Sequence, residues 1–217
     1  MVNIFIEAKD RKTSEAEFLT AILNRLGIPA DTYSLKPTNG YTNLMDSDKA
    51  VNINAMRVNT DAGEKNLVVF DADSGNNNGG FEKRRDLLLK KKEELGLEFE
   101  LFLWPDNGRD GDVEVLMESI ARKDLYPEFF DCFSKYEYCF SKYECCISRR
   151  KDDNGKQFYS TPNRKGKLHT YVTSLPISKT KKDKVGSGDW QWYNPEIWDL
   201  DSDSLIPIKE FLKEHLL

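Results

Sequence analysis

The sequence predicts an α/β fold: a mostly parallel four-stranded sheet flanked by helices, followed by a helical C-terminal extension. Two observations predict it. Apolar runs of strand length alternate with segments of helical periodicity, in the order β-α-β-(α)-β-α-β-α. Parallel strands need such crossovers, and the crossover helices cover both faces of the sheet. The two strongest runs, Val2–Ile6 and Leu67–Phe70, each end on a carboxylate, Glu7 and Asp71. That places acids together at one edge of the sheet.

Each element has a local justification. Val2–Ile6 is the first strand. A helix follows, with Ser14 as N-cap, Glu17 three residues later in a capping-box pattern, and Phe18, Leu19, Ile22, Leu23 and Leu26 at helical spacing. Gly27 supplies its stop. Asp31–Leu35 is a short candidate strand, and Pro37, Asn39 and Gly40 form a turn cluster. Residues 48–58 are compatible with a helix. Asn66–Phe70 is the strongest strand. The loop from Ser74 to Gly80 opens into a helix over Phe81–Leu95, ended by Gly96. Glu98–Trp104 alternates as a strand and stops at Pro105. Gly111–Ala121 reads as helix through Val113, Leu116, Met117 and Ile120.

Beyond this point the pattern is helical. Pro127–Cys146 is read as one or two helices and contains a seven-residue duplication, Cys132–Glu137 and Cys139–Glu144, expected to pack Phe133, Tyr136, Phe140 and Tyr143. Turn signals stand at Asn154-Gly155 and Pro162-Asn163. Lys167–Leu175 reads as a short helix and Asp201–Leu217 as a docked C-terminal one. Trp190, Trp192, Tyr193 and Trp198 between them are expected in the core; stacking on nucleic-acid bases is the other use of such a cluster. The expected division is therefore an α/β domain over 1–121 and a mostly helical extension over 122–217, packed on the first.

The totals exclude several classes. At 217 residues, with 39% hydrophobic and 32% charged residues, the chain is expected to be soluble and globular. No run of apolar residues reaches membrane-spanning length, so no membrane partner is expected. Asn3 and Glu7 interrupt the first apolar stretch, which reads as a strand and not a signal peptide. The four cysteines cluster between Cys132 and Cys146 without a C-x-x-C spacing, which argues against a disulfide framework and against zinc. A cytoplasmic location is the expectation.

The net charge is -5, but its distribution is uneven. Residues 147–184 carry eleven Lys and Arg against three Asp, and the remainder has a net charge of -13. The basic segment is either a solvated insertion or an anion-binding surface.

The acids carry the chemistry. In a parallel sheet the C-terminal strand ends face one crevice, where ligands bind. Glu7, Asp71 and Asp73 belong to that edge. Two carboxylates about 5 Å apart repel by roughly 3 kcal/mol at an effective dielectric near 20. A cation removes that cost, and magnesium, which prefers hard oxygen ligands, is the natural candidate. Asp110, Asp112 and Glu114 follow the fourth strand at the same edge, where the helix dipole also favours acids. Lys83, Arg84 and Arg85 occupy the first turns of the helix at Phe81, against its dipole. Phosphate contact and a solvated helix face are the two readings of them.

A Glu at the end of the first strand, followed by Asp71-Ala72-Asp73 after a later apolar strand, resembles the Toprim domain of topoisomerases, primases and overcoming-lysogenization-type nucleases. The stretch from Leu67 to Glu114 is most similar to a bacterial Toprim-like family whose members are uncharacterised. The matching pieces are Phe70–Asp73, Gly79–Arg84, Leu101–Pro105 and Gly111–Glu114. The chain departs from the usual pattern at Ala8, where Gly is common, and at Arg11, where nuclease members carry Asp.

The resemblance implies a Toprim-like, Rossmann-like fold and Mg²⁺-dependent phosphoryl transfer on nucleic acid, nuclease-like in kind. It implies Glu7, Asp71 and Asp73 as catalytic, metal-holding residues, with Asp112 and Glu114 at a second ion. Mn²⁺ is the alternative to Mg²⁺ in this expectation. Lys9, Lys83 and Arg84 are the candidate phosphate contacts, and the basic segment the candidate guide for a nucleic-acid backbone. The alternative is a non-catalytic Toprim-like module that binds a nucleotide or a protein partner such as an ATPase.

Overall fold

The computed structural model describes residues 1–44, 50–75, 79–147, 155 and 163–217. Among them is one four-stranded parallel sheet of β1 (Val2–Ile6), β2 (Tyr33–Pro37), β3 (Asn66–Asp71) and β4 (Glu100–Trp104), in spatial order β2-β1-β3-β4. The helices are α1 (Ser14–Arg25), α2 (Tyr41–Leu44), α3 (Val51–Asp61), α4 (Phe81–Leu95), α5 (Val113–Ser119), α6 (Pro127–Ile147), α7 (Arg164–Ser174), α8 (Lys179–Val185) and α9 (Ile206–Leu216). The α/β architecture with a helical C-terminal region is the one the sequence pattern predicts.

The strands are apolar throughout because both faces are covered. Side chains alternate between faces with period two. Ile4, Ile6, Leu67, Val69, Phe102 and Trp104 face one core, with residues of α1, α5, α7, α8 and α9. Phe5, Val68, Phe70 and Leu103 face a second, with Leu44, Ile53, Met56 and Leu88 of α2, α3 and α4. The first core is continuous from β1 to α9, so the C-terminal helices complete the layer that α1 and α5 begin. Trp190, Trp192 and Trp198 are buried within it, and the indole N–H of Trp198 donates to the Trp190 carbonyl at 2.8 Å. They are core, as expected; Tyr193 is exposed.

Several boundaries differ from the sequence reading. The N-cap of α1 is Thr13, whose hydroxyl accepts from the Ala16 N–H, and Ser14 is the first helical residue. Both residue types cap well, and the chain's approach selects Thr13. β2 runs over Tyr33–Pro37, two residues later than expected; Pro37 is tolerated there because β2 is an edge strand. β4 starts at Glu100, after Phe99 has turned into the second core. Helix α8 was not anticipated, because its four lysines hide its single buried residue, Val185. On α6 only Phe133 of the four duplicated aromatics is buried, whereas Tyr136 and Tyr143 are exposed. Among the described residues α7 meets α6 near Phe133, and Tyr136 and Tyr143 lie beyond that contact. The helix predicted from residue 48 begins at Val51, and residues 48–49 lie outside the described residues. So do residues 148–154 and 156–162 of the basic segment, residues 76–78 of the Ser74–Gly80 loop, and the side chains of Cys145 and Cys146. No described helix is long and apolar enough to cross a membrane.

Candidate functional site

The chain leaves β1 toward β2 on one side and reaches β3 on the other. The gap between the C-terminal ends of β1 and β3 is therefore the switch point of the sheet, where open α/β folds hold ligands. Glu7 follows β1 and Asp71 ends β3. The N-termini of α1, α4 and α5 lie at the same edge, as parallel connections dictate.

Glu7 is held on the side of the second core. The loop after β2 extends the pairing of β1: Thr38, Asn39 and Gly40 donate backbone N–H groups to Ile6, Ala8 and Glu7. Asn39 and Gly40 adopt positive φ, which turns the chain so that the Tyr41 N–H reaches Glu7 Oε1 at 3.3 Å. The other oxygen, Oε2, is buried without a hydrogen-bond partner. Burial raises the Glu7 pKa; Arg84 opposes that and the Asp73 charge adds to it.

Asp71 lies toward the first core, and its Oδ1 accepts from the Val113 N–H at 2.8 Å, which docks the start of α5 on β3. Burial drives its pKa well above the ordinary value, with the charges of Glu15, Glu114 and Glu7 adding to the rise. Two residues on, Asp73 has φ 59, a left-handed conformation, and pairs with Arg84. A β-carbon on Gly79 would stand 2.3 Å from Asp73 Cβ, so glycine is what lets the loop close against it. Arg84 is 4% exposed and its guanidinium lies 3.6 Å from the centre of the Tyr41 ring. This explains a cation in the first turn of α4: the partner is Asp73, and the pairing outweighs the dipole. Lys83 and Lys9 are exposed.

The third group divides. Asp110 caps α4, accepting from the Phe81 N–H at 2.7 Å. Asp112 caps α5 through the Val115 N–H at 3.0 Å and meets Arg164 at 3.2 Å. Glu114 alone turns into the crevice. Burial raises its pKa, while Lys165, 3.5 Å away, works against that. The structure thus brings Glu7 and Glu114 near Asp71, whose carboxyl both repel. Asp73 is tied to Arg84, and Asp112 to the helix end and Arg164.

The sequence reading missed Glu15, Tyr41 and Lys165. Glu15, in the first turn of α1, is pushed up to about 8 by burial and by the charges of Glu7 and Glu114. Its Oε1 is buried without a hydrogen-bond partner. A signal was present: Glu15 stands four and seven residues before Leu19 and Ile22, on the buried stripe of the helix. Lys165 lies in the basic segment, but only the packing of α7 on α5 aims it at an acid.

The donors are chemically suited to a hard divalent cation, since all are carboxylates and Glu7 Oε2 and Glu15 Oε1 are buried. Among the described residues, no three acidic, histidine or cysteine side chains are posed as a closed metal-ligand set. Comparison with protein-family models, with curated proteins and with solved structures finds no match to the chain.

Proposed function

We propose that this protein is a Toprim-like, divalent-metal-dependent phosphoryl-transfer protein acting on nucleic acid, with nuclease-like chemistry. The observation that supports it is the set of buried, under-neutralised carboxylates at the switch point of the sheet. Glu7, Asp71 and Asp73 would hold Mg²⁺ or Mn²⁺, with Asp112 and Glu114 beside a second ion. When bound, the metal supplies Lewis-acid activation of water and neutralises charge on a phosphoryl group.

The chain's own residues have defined tasks in this reading. The Val113 N–H orients Asp71 through one carboxylate oxygen. The Tyr41 N–H does the same for Glu7. Arg84 fixes the turn carrying Asp73. Exposed Lys9 and Lys83 flank the edge and are suited to phosphate contact. Lys179, Lys181 and Lys184 of α8 are exposed cations suited to a polyanion. Arg164 and Lys167 of the same basic segment are engaged with acids of α5 and α6.

The second reading, a non-catalytic module for a nucleotide or a protein partner such as an ATPase, draws support from the cations already resting on Asp73, Asp112 and Glu114. Calorimetric titration of Mg²⁺ and Mn²⁺ into the wild type and an Asp71→Ala/Asp73→Ala variant separates the two. Binding lost in the variant, with cleavage of plasmid or single-stranded DNA, is the expected outcome. Absence of binding at millimolar metal would sink the first reading and leave the second. Nucleic-acid binding through α8 is expected to weaken steeply with salt, because phosphate contacts release counterions.

A further inference from the structure

We propose that the cleft between the β1–α1 loop and the first turns of α7 binds a phosphate monoester. The inference stands apart from the metal-dependent reading above and needs no metal. The cleft has a volume of about 560 Å³, enough for a phosphate and a small group that carries it. Three segments line it. Lys12 and Ser14 come from the loop before α1 and its first residue, Lys165 and His169 from α7, and Gly188 and Trp190 from the turn after α8. The third segment is fixed in place. A β-carbon on Gly188 would stand 2.2 Å from the Lys12 carbonyl oxygen, so glycine is what lets this turn press on the loop. The buried Trp190 indole donates its N–H to the Val185 carbonyl at 3.0 Å.

The charges of the lining favour an anion. Lys12, Lys165 and His169 stand against one acid, Asp10, whose Oδ1 already accepts from the Lys12 backbone N–H at 2.7 Å. Among the described residues the side chains of Lys12 and His169 have no hydrogen bond or ion pair, while Lys165 has Glu114 at 3.5 Å. Helices α1 and α7, of 12 and 11 residues, both turn their N-terminal, positive ends to the cleft. A buried hydroxyl supplies the independent observation. Ser14 is 4% exposed, and among the described residues its Oγ has no hydrogen-bond partner. Capping does not use it, because Thr13 takes the Ala16 N–H. An unspent hydroxyl in the lining of a cationic cleft suits an oxygen-rich anion, since hydrogen bonds to charged acceptors are the strong ones. A phosphate monoester has the charge and the oxygens for Ser14, Lys12 and His169 together; a carboxylate has one charge and two oxygens.

The test is titration of the full chain in EDTA, so that no metal bridges the ligand. The probes are inorganic phosphate, adenosine 5′-monophosphate and a short 5′-phosphorylated oligothymidylate, each read by broadening of its terminal ³¹P resonance. The two organic probes distinguish a free nucleotide from a strand end, and binding of either supports the proposal. Ser14→Ala and Lys12→Gln are each expected to weaken affinity about tenfold, the scale of one hydrogen bond to a charged group. Lys213→Gln, an exposed lysine on α9 outside the cleft, should bind as the wild type does. Should Ser14→Ala fail to fold, His169→Gln is read in its place. Absence of broadening by the wild type with every probe at millimolar concentration overturns the proposal. So does unchanged affinity in the folded cleft variants, or an equal loss in Lys213→Gln, which would mark attraction by surface charge alone. Equal competition by acetate would assign the cleft to carboxylates and overturn it as well. None of these outcomes bears on Mg²⁺ binding, which the Asp71→Ala/Asp73→Ala variant tests separately.

Discussion

Glu114 and Glu118 stand one turn apart on α5 and end in opposite electrostatic states. Burial is the leading influence on each. Around Glu118 it is outweighed: Lys167 lies at 2.9 Å, Arg164 at 3.2 Å and Lys123 at 3.8 Å, and they hold its carboxyl below the ordinary range. Around Glu114 burial prevails: among the described residues Lys165 is the cation paired with it, and the Asp112 charge adds to the rise. A protein able to neutralise the acid at one turn of a helix has left the acid one turn earlier under-neutralised. Mutual repulsion is therefore a feature of the switch point and not of acid-rich composition in general.

The largest effect is expected where the matching is best. Lys167 is 7% exposed and bridges Glu118 and Glu137 over the rings of Phe130 and Phe133. Lys167→Met should cost about 3 kcal/mol in urea unfolding at neutral pH, because it strands a partly buried carboxylate. Adding Glu118→Gln should restore most of the loss; if it does not, the cost lies in packing and not in charge. Next comes Arg84→Met, expected to cost about 2 kcal/mol, less than at Lys167 because Asp73 lies nearer solvent.

The unmatched side should respond with the opposite sign. A carboxyl whose folded pKa is raised contributes stability that is fully present below its ordinary pKa and is lost as pH rises through the folded value. For Glu15 that window runs from the ordinary 4.5 to about 8. The metal-free protein should therefore lose Tm steadily across it, because the native state binds more protons than the unfolded one there. Glu15→Gln should flatten this slope and gain about 1–2 kcal/mol at its upper end, with little change at its acid end. A wild-type Tm that rises over the same window would break the comparison. The smallest effect is expected at Arg25, whose pair with Asp201 is exposed. Arg25→Ala should leave Tm unchanged within error, as surface pairs do.

Much of this was legible from residues alone. The apolar runs marked both central strands, and the acids at their ends marked the edge. Gly27 and Gly96 marked helix ends, at φ 71 and 58. Arg84 was legible as an anomaly, a cation against a dipole, but not as the partner of Asp73. Glu15 was not legible as a site residue, because an acid in the first turn of a helix is ordinary and only its register with Leu19 and Ile22 sets it on the buried stripe. The exposed half of the α6 stripe misled in the other direction: helical spacing states which residues share a face, not whether another element covers it.

The sequence by itself determined the four strands and the longer helices, since periodicity, caps and breakers act over a few residues; it did not show the short helices α2 and α8. It also determined that Glu7, Asp71 and Asp73 share an edge, because parallel strands end together. Only the tertiary structure decided which acids are neutralised. That depends on the strand order β2-β1-β3-β4, on the packing of α7 against α5, and on Tyr41 and Gly79 closing around Asp73 and Arg84. Charge interactions fall off over a few ångströms through space and take no account of separation along the chain. Glu15 and Glu114, 99 residues apart in sequence, therefore repel as neighbours, while Glu114 and Glu118 differ.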